Sequence, residues 1–332
     1  MISKRDIDQR IGKLEKENER LKAQNADMQK KFDDLDFRCR DLMKKYNELI
    51  GEINLRYYEL LPEERYEAEA EKRFLIKTGE ILDLSEPKTL NEKIQWLKFH
   101  DRDPIKTKLA DKLSVRRWVA ETIGSEYLTE SYGDWNCFDA IDMDRLPGKF
   151  VLKPSHGSGM VILVDDKSRM DTDRIRKTVN RWLTVNYAYR GLEMQYRDIK
   201  PRVLAEKHIG QSGKDFQDYK FWCFNGKVAF IHVIDTVGGS SVSSGIYDRN
   251  WRRTPFQRED ETDALHERPT LLKKMITLSE KLSENFKFVR VDLYTIRKKE
   301  IKFGEMTFSP ANGERIWVPK EYDRKLGDLL VL

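Results

Sequence analysis

Cysteine is scarce in this chain. Cys39, Cys137 and Cys223 are the only three in 332 residues, they lie far apart, and none forms a C-x-x-C pair. That spacing argues against a disulfide framework and makes a reducing cytoplasm the expected setting. Long apolar runs are absent too: none approaches the roughly 18 residues that span a bilayer, and the opening MISKRD lacks the apolar core of a secretory signal. The expectation is a soluble cytoplasmic protein with no membrane span. The five histidines, His100, His156, His208, His232 and His266, have no i, i+4 partner and no cysteine nearby, which argues against zinc. Any metal must then be held by oxygen.

No charge of one sign dominates either. The 62 basic and 57 acidic side chains leave a net charge of +5, too small a difference to mark a nucleic-acid binder. An anionic small molecule or polysaccharide suits that balance, and so does ordinary solubilisation. The hydrophobic share of 39% is below the usual level of about 45–50%, and the charged share of 36% is above about 25%. One segment must therefore be unusually solvated. The length suggests about two domains.

The solvated segment is the first sixty residues. Apolar positions recur in steps of four and three, with Leu14, Leu21, Leu35, Leu42 and Leu49 at heptad position d and Ile11, Asn18, Asn25, Phe32, Cys39, Tyr46 and Ile53 at a. Leucine at d with asparagine at a favours a parallel two-stranded coiled coil. The pairs Arg10 with Glu15, Glu17 with Lys22 and Lys31 with Asp36 carry opposite signs at g and the following e′, which fits that register. The later a residues, Phe32, Cys39 and Tyr46, leave a looser or larger bundle open, and the alternative is one long helix packed on the rest of the chain. Pro62 should end the segment, since it lacks a donor and clashes with the preceding turn.

A mainly helical stretch follows over 63–121, with amphipathic segments at 90–99 and 106–123. From residue 150 the texture changes to short strand-like runs at 150–153, 160–164, 203–206, 219–224, 228–233, 288–294 and 301–308, with helices at 173–183 and 270–285. The mixture predicts an α+β protein with largely antiparallel sheets. The expected divisions are a coiled-coil segment at 1–61, a mainly helical part at 62–148 and a catalytic region at 149–332.

Two runs carry chemistry. FVLKPSHGSG (150–159) is a strand that ends in a glycine-bearing loop and leads at once into the apolar run MVILV (160–164), so the loop sits in a hairpin. A P-loop would place its lysine after the glycines and open a helix. Here Lys153 comes first. Backbone N–H groups around Gly157, Ser158 and Gly159 can cradle phosphate while Lys153 neutralises it, although a plain flexible hairpin has the same sequence.

The second run pairs VRVDLY (289–294) with IKFGEMTF (301–308) across the polar turn 297–300. A symmetric turn sets Asp292 opposite Glu305 and Arg290 opposite Thr307, all on one face, with Val289, Val291 and Leu293 turned to a core. Opposed like charges lie about 4.5–5.5 Å apart at their β-carbons and destabilise a sheet unless something compensates. Magnesium in a nucleotide site would compensate, and so would Arg290 as a salt bridge. Between the two runs, Glu206 with Lys207 and Asp218 with Lys220 begin strand-like segments that alone would be solvated charges.

Lys-Pro before Gly-Ser-Gly, then Glu-Lys, Val-Arg-Val-Asp and Gly-Glu-x-Thr, resembles the ATP-grasp superfamily in order and spacing. LNEKIQWL (90–97), LADKLSVR (109–116), KPRVLAE (200–206), DYKF (218–221) and FGEMTF (303–308) are similar to its TupA-like branch, named for teichuronopeptide biosynthesis, over about residues 70–325. The resemblance implies two α+β subdomains whose antiparallel sheets grip ATP. It also implies a ligase that phosphorylates a carboxylate and lets an amine attack the acyl phosphate, with ATP and Mg2+ as cofactors. On this resemblance Lys153 and Lys112 contact phosphates and Gly157, Ser158 and Gly159 cover them. Glu206, Lys207 and Ile209 line the adenine edge, with Asp218 near the ribose. Asp292, Glu305 and Thr307 hold the metal, and Arg290, with Lys220 the weaker candidate, stabilises the acyl phosphate and tetrahedral intermediate.

Thr307 departs from the asparagine common in the superfamily, which puts a second metal position in doubt, and Asn312 could substitute. His156 either touches substrate or caps its loop. The implied partners are an amino acid and a uronic-acid-containing glycan or precursor, in surface or capsular polysaccharide synthesis. A homo-oligomer, preferably a dimer, forms through the coil, and peripheral association with a membrane-bound assembly is compatible. No nucleic acid is expected. Two rivals are a glycosyltransferase using Asp142 with Asp144 or Asp165 with Asp166, and a non-catalytic coiled-coil scaffold. A protein kinase lacks support, since no His-Arg-Asp or Asp-Phe-Gly segment occurs.

Overall fold

A computed structural model describes residues 4–209, 216–237, 240–259, 261–262 and 264–332. The chain divides into two compact units, Met1–Tyr57 and Tyr58–Leu332. The first is taken up by helix α1 (Lys4–Leu60), which ends just before Pro62. Its seam side chains stay exposed, with Leu14 at 65%, Phe32 at 65% and Leu42 at 68%. Ion pairs at i, i+3 and i, i+4 such as Arg20–Glu17 and Lys31–Asp27 support it locally.

The second unit opens with α2 (Tyr66–Thr78), α3 (Leu90–His100), α4 (Pro104–Ala110) and α5 (Ser114–Thr122). Thr89 and Glu92 close a reciprocal capping box on α3, and Asp103 caps α4 ahead of Pro104. The single helix expected over 106–123 is in fact two. Asp111 accepts hydrogen bonds from the Leu113 and Ser114 N–H groups, which turns the chain, and the Lys112 N–H donates to Ser155 O at 2.9 Å instead of continuing a helix.

A four-stranded antiparallel sheet comprises β1 (Ser131–Trp135), β2 (Phe150–Pro154), β3 (Ile162–Val164) and β4 (Val203–Lys207) in the order β1-β4-β2-β3. Helix α6 (Thr172–Leu183) packs on it through Val179 and Trp182. The larger sheet contains β5 (Phe216–Phe224), β6 (Lys227–Val237) and β7 (Ser240–Asp248), with β9 (Phe288–Ile296) and β10 (Glu300–Thr307) completing the order β10-β9-β5-β6-β7 after the short strand β8 (Gln257–Arg258) and helix α7 (Leu272–Ser283). Strands β9 and β10 form its terminal hairpin, and β11 (Trp317–Val318) pairs with β8 ahead of α8 (Glu321–Gly327). The α+β class and antiparallel sheets expected from the sequence are both present.

Period-two alternation sorts the large sheet. Val289, Val291 and Leu293 join Tyr219, Phe221, Ile231 and Val233 against Leu272, Met275, Leu278 and Leu282 of α7. Burying each aliphatic side chain there contributes about 1.5–3 kcal/mol. The alternate residues of β9 and β5, Arg290, Asp292 and Lys220, are thereby forced to the opposite face.

Candidate active site

The β9–β10 hairpin pairs Asp292 with Glu305 and Arg290 with Thr307, the pairing expected from the sequence. Its mechanism differs from a symmetric turn. Up to Phe303 the register would set Asp292 against Gly304, and a bulge between Phe303 and Glu305 shifts it by one residue. A Cβ on Gly304 would lie 3.0 Å from Asp292 O, so any larger residue at the bulge would have to displace the neighbouring backbone slightly.

Three acceptor oxygens converge on one nitrogen. Arg290 Nη2 donates to Asp292 Oδ2 at 2.6 Å, Glu305 Oε1 at 3.0 Å and Thr307 Oγ1 at 3.1 Å, while its Nε donates to Asp292 Oδ1 at 2.6 Å. Lys220, opposite Asp292 on β5, donates to Asp292 Oδ2 at 2.8 Å and also to Asp218. Burial alone would raise Asp292, but the Arg290 guanidinium and Lys220 ammonium outweigh it and hold the carboxyl below its ordinary pKa. For Asp218 burial wins over Lys220, and the neighbouring Asp292 adds to it, so that carboxyl is pushed up. Burial would lower Lys220, yet the two aspartates keep it above the usual lysine value. Both the cationic compensation and the hard-oxygen donor set weighed from the sequence are therefore present in one place. Among the described residues no group of three or more His, Cys, Asp or Glu side chains is placed to hold a metal ion by itself, so a cation here would take the two carboxylates, the threonine, phosphate and water.

Facing this hairpin is a second charged group. Lys153 on β2 pairs with Glu206 on β4, and Arg116 of α5 donates to Glu206 Oε1 at 3.0 Å and to Thr129 O at 2.7 Å. Lys112 donates to Gly157 O. Burial lowers its pKa, partly offset by Glu305 and Glu206. A small cavity of about 20 Å3 is lined by Lys112, Arg116, Lys153 and Glu206 from one side and Phe303 and Gly304 from the other. The Thr129 and Tyr294 hydroxyls meet at 2.7 Å beside it.

The glycines of the loop differ. A Cβ on Gly157, at φ 88°, would fall 2.4 Å from the Tyr187 ring, whereas one on Gly159, at φ 74°, would meet nothing within 4 Å. Gly157 is needed for packing, and Gly159 leaves open space; Ser158 between them is exposed. His156 is buried, its Nε2 lying 3.1 Å from Trp182 O and 3.0 Å from Val185 O. It ties its loop to the end of α6. Lys207 turns outward to Glu130 at 3.1 Å, and Ile209 ends the described part of that segment. Asn312 is not among the convergent acceptors. Its Oδ1 accepts from Lys98 Nζ at 2.6 Å, its carbonyl accepts from Gln95 at 2.8 Å and its Nδ2 donates to Glu314 at 2.5 Å, which holds a left-handed run at Ala311, Asn312 and Gly313. Burial pushes Lys98 down to about 8, against the pull of Glu193 and Glu314. Arg116, Thr129, Tyr294 and this Lys98 network were not foreseen; each is brought in by tertiary packing with no local pattern to announce it.

A family profile described as TupA-like ATPgrasp matches residues 92–331. No curated protein matches the chain in sequence. Similar solved structures include an L-amino acid ligase from Bacillus licheniformis, at 14% identity and TM-score 0.39, covering 65% of this chain and 47% of that one. ATP-grasp ligase PsnB with a phosphomimetic variant of its minimal precursor, Mg and ADP is similar at 11% identity and TM-score 0.38, over 68% of this chain and 58% of that one. D-alanyl-alanine synthetase A from Vibrio cholerae is similar at 13% identity and TM-score 0.34, over 60% and 56%. The chain spans about half the length of these structures.

Proposed function

Because the chain belongs to the TupA-like ATP-grasp family, we propose that it is an ATP-dependent carboxylate–amine ligase that forms an amide bond through an acyl phosphate. The observation that carries this reading is the convergence of Asp292, Glu305 and Thr307 on the Arg290 guanidinium, in a hairpin whose Phe303 and Gly304 border the same small cavity as Lys112 and Lys153. A guanidinium nitrogen that donates to all three oxygens marks a point where cationic charge is stabilised, and such hard oxygens suit magnesium. Bound there with ATP, magnesium would neutralise phosphate charge. Asp292 is already engaged by Arg290 and Lys220 and its side chain is 4% exposed, whereas that of Glu305 is 27% exposed. Glu305 is therefore the more available ligand.

Lys153 and Lys112 hold the polyphosphate, the Gly157–Gly159 backbone covers it, Glu206, Lys207 and Ile209 border the adenine, and Asp218 lies by the ribose. A substrate carboxylate oxygen attacks the γ-phosphorus; the bond to the β-phosphate oxygen breaks and ADP leaves. An amine nitrogen then attacks the acyl carbon, the carbon–oxygen bond to phosphate breaks, and the nitrogen gives up a proton. Arg290 and Lys220 offset the negative charge on the acyl phosphate and the tetrahedral oxygen.

The joined partners are an amino acid and a uronic-acid carboxylate on a surface glycan or its precursor, and the protein works as a dimer through a parallel coiled coil over 1–61. No helix among the described residues is long and apolar enough to cross a membrane, which suits a soluble or peripheral enzyme. Two of the aspartates named for the glycosyltransferase alternative are occupied close to home. Asp142 pairs with Arg145 at 3.1 Å and Asp166 binds the Ser168 N–H and hydroxyl, both local uses. ADP release assayed across amino acids, with uronate-containing acceptors present and absent, tests the proposal. ADP formed only with both partners supports it, and consumption of a nucleotide sugar without ADP from ATP overturns it.

A further inference from the structure

The charged face of the large sheet continues past Arg290 into a cavity of about 350 Å3, a volume within the range of small-molecule sites. Register explains its walls. Lys220 on β5 is opposite His232 on β6, Trp222 is opposite Arg290 on β9, and Ile234 is opposite Ser244 on β7, so these side chains share one face. Two further cations reach the same space. Arg258, on β8, lies 3.8 Å from Glu261, which in turn lies 2.9 Å from the buried His232. Arg315 follows the left-handed run at 311–313, and its backbone is pinned by Asn91, whose side chain accepts from the Arg315 N–H at 3.3 Å and donates to Arg315 O at 2.6 Å.

Among the described residues, the lining therefore holds Lys220, Arg258, Arg290 and Arg315 and no carboxylate. Asp292, Glu305 and Glu261 are all close in sequence or space to these cations, but none borders the cavity. One substrate carboxylate at Lys220 and Arg290 would use two of the four cations. Arg258 and Arg315 belong to other elements and serve neither the nucleotide nor the metal in the mechanism above. Lys220 and Arg290 are paired with Asp218, Asp292 and Glu305 and Arg258 lies near Glu261, so it is the wholly cationic set of charged groups lining the cavity, and not an excess of positive charge, that suits an anion there.

We infer that this cavity takes a substrate with two acidic groups, the first activated at Lys220 and Arg290 and the second held by Arg258 and Arg315. The inference rests on the ligase reading for the role of the first group and deepens it by naming the substrate class. The second group could be a neighbouring uronate, a phosphate or a second carboxylate on a small acid, all read by the same guanidinium chemistry.

Equilibrium binding of glucuronate, diglucuronate, glucuronate 1-phosphate, butyrate and glutarate to the full chain tests this, with ADP release measured on the same probes plus amino acids. The expected result is at least tenfold tighter binding of a two-acid probe than of its one-acid counterpart. That preference falls to less than threefold in R258M and in R315M and persists in R258K. Which two-acid probe gains most identifies the source of the second group. Equal binding of one-acid and two-acid probes by the wild type, or an undiminished preference in folded R258M and R315M, overturns the inference. If R258M fails to fold, R315M and R258K decide. The two readings fail separately: ADP release that is equally efficient with one-acid probes sinks only the two-acid pocket, whereas two-acid preference without ADP release from any probe supports the pocket and sinks the ligase.

Discussion

The two walls of the cleft carry opposite surpluses of charge. On the wall built by the glycine hairpin and α5, the cations Lys112, Arg116 and Lys153 surround one carboxylate, Glu206. On the wall built by the large sheet, the carboxylates Asp218, Asp292 and Glu305 share two cations, Lys220 and Arg290. Neither group is balanced alone. In the proposed ligase the first would be completed by an anion and the second by a cation, the two charges that a polyphosphate and its divalent metal would bring. The comparison also separates residues whose removal should weaken the nucleotide from those whose removal should weaken only the metal.

The largest expected effect is on the cationic wall. Lys153→Ala should lower kcat/KM for ADP formation by at least about a thousandfold, roughly 4 kcal/mol of barrier. It should fold normally, because Glu206 keeps Arg116. A loss within about threefold would show that Lys153 does not face the phosphates. On the opposite wall, Glu305→Gln should cut magnesium-dependent ADP formation about a hundredfold while thermal unfolding stays unchanged or moves slightly upward, since one of two opposed carboxylates is gone. An unaltered magnesium titration would make the carboxylate purely structural.

A smaller effect concerns the floor of the anionic-wall sheet. Burial pushes His232 down to about 4, and Glu261 at 2.9 Å offsets only part of that. The folded chain therefore binds fewer protons at this site than the unfolded one. The contribution to stability is fully present above the unfolded value of about 6.5 and is lost as pH falls towards 4, by roughly 3 kcal/mol. Denaturant melts of His232→Gln should be flatter than wild type across that window; parallel curves would refute the assignment.

The smallest effect on catalysis should come from deleting residues 1–57, since every residue placed on either wall lies at or beyond Lys112. Light scattering should show a smaller assembly with ADP formation kept within about twofold. An unchanged assembly would contradict the coiled coil, and an inactive smaller one would mean that assembly completes the site.

Much of the cleft was legible because its signals are local. The lysine before the glycines, the alternation of Val289, Val291 and Leu293 with Arg290 and Asp292, and the placement of Pro62 each follow from one segment's chemistry. Strand β7 was missed because SSVSSGIYD offers few apolar residues; its pairing with β6 carries it. Strand β1, SYGDW, is short and gains its place by pairing with β4. The break in the helix at Asp111 depends on an acceptor, Ser155 O, more than forty residues away, and no periodicity reports that. The opposed carboxylates were anticipated, but the Gly304 bulge that aligns them was not.

The central claim is that the two walls divide nucleotide from metal, and equilibrium titration of ATP into wild type, Lys153→Ala and Glu305→Gln, each with and without magnesium, tests it most directly. The account predicts that Lys153→Ala weakens ATP at least tenfold in both conditions. Glu305→Gln should bind magnesium-free ATP like the wild type but gain nothing when magnesium is added. Affinities within twofold of wild type for both variants in both conditions would contradict it.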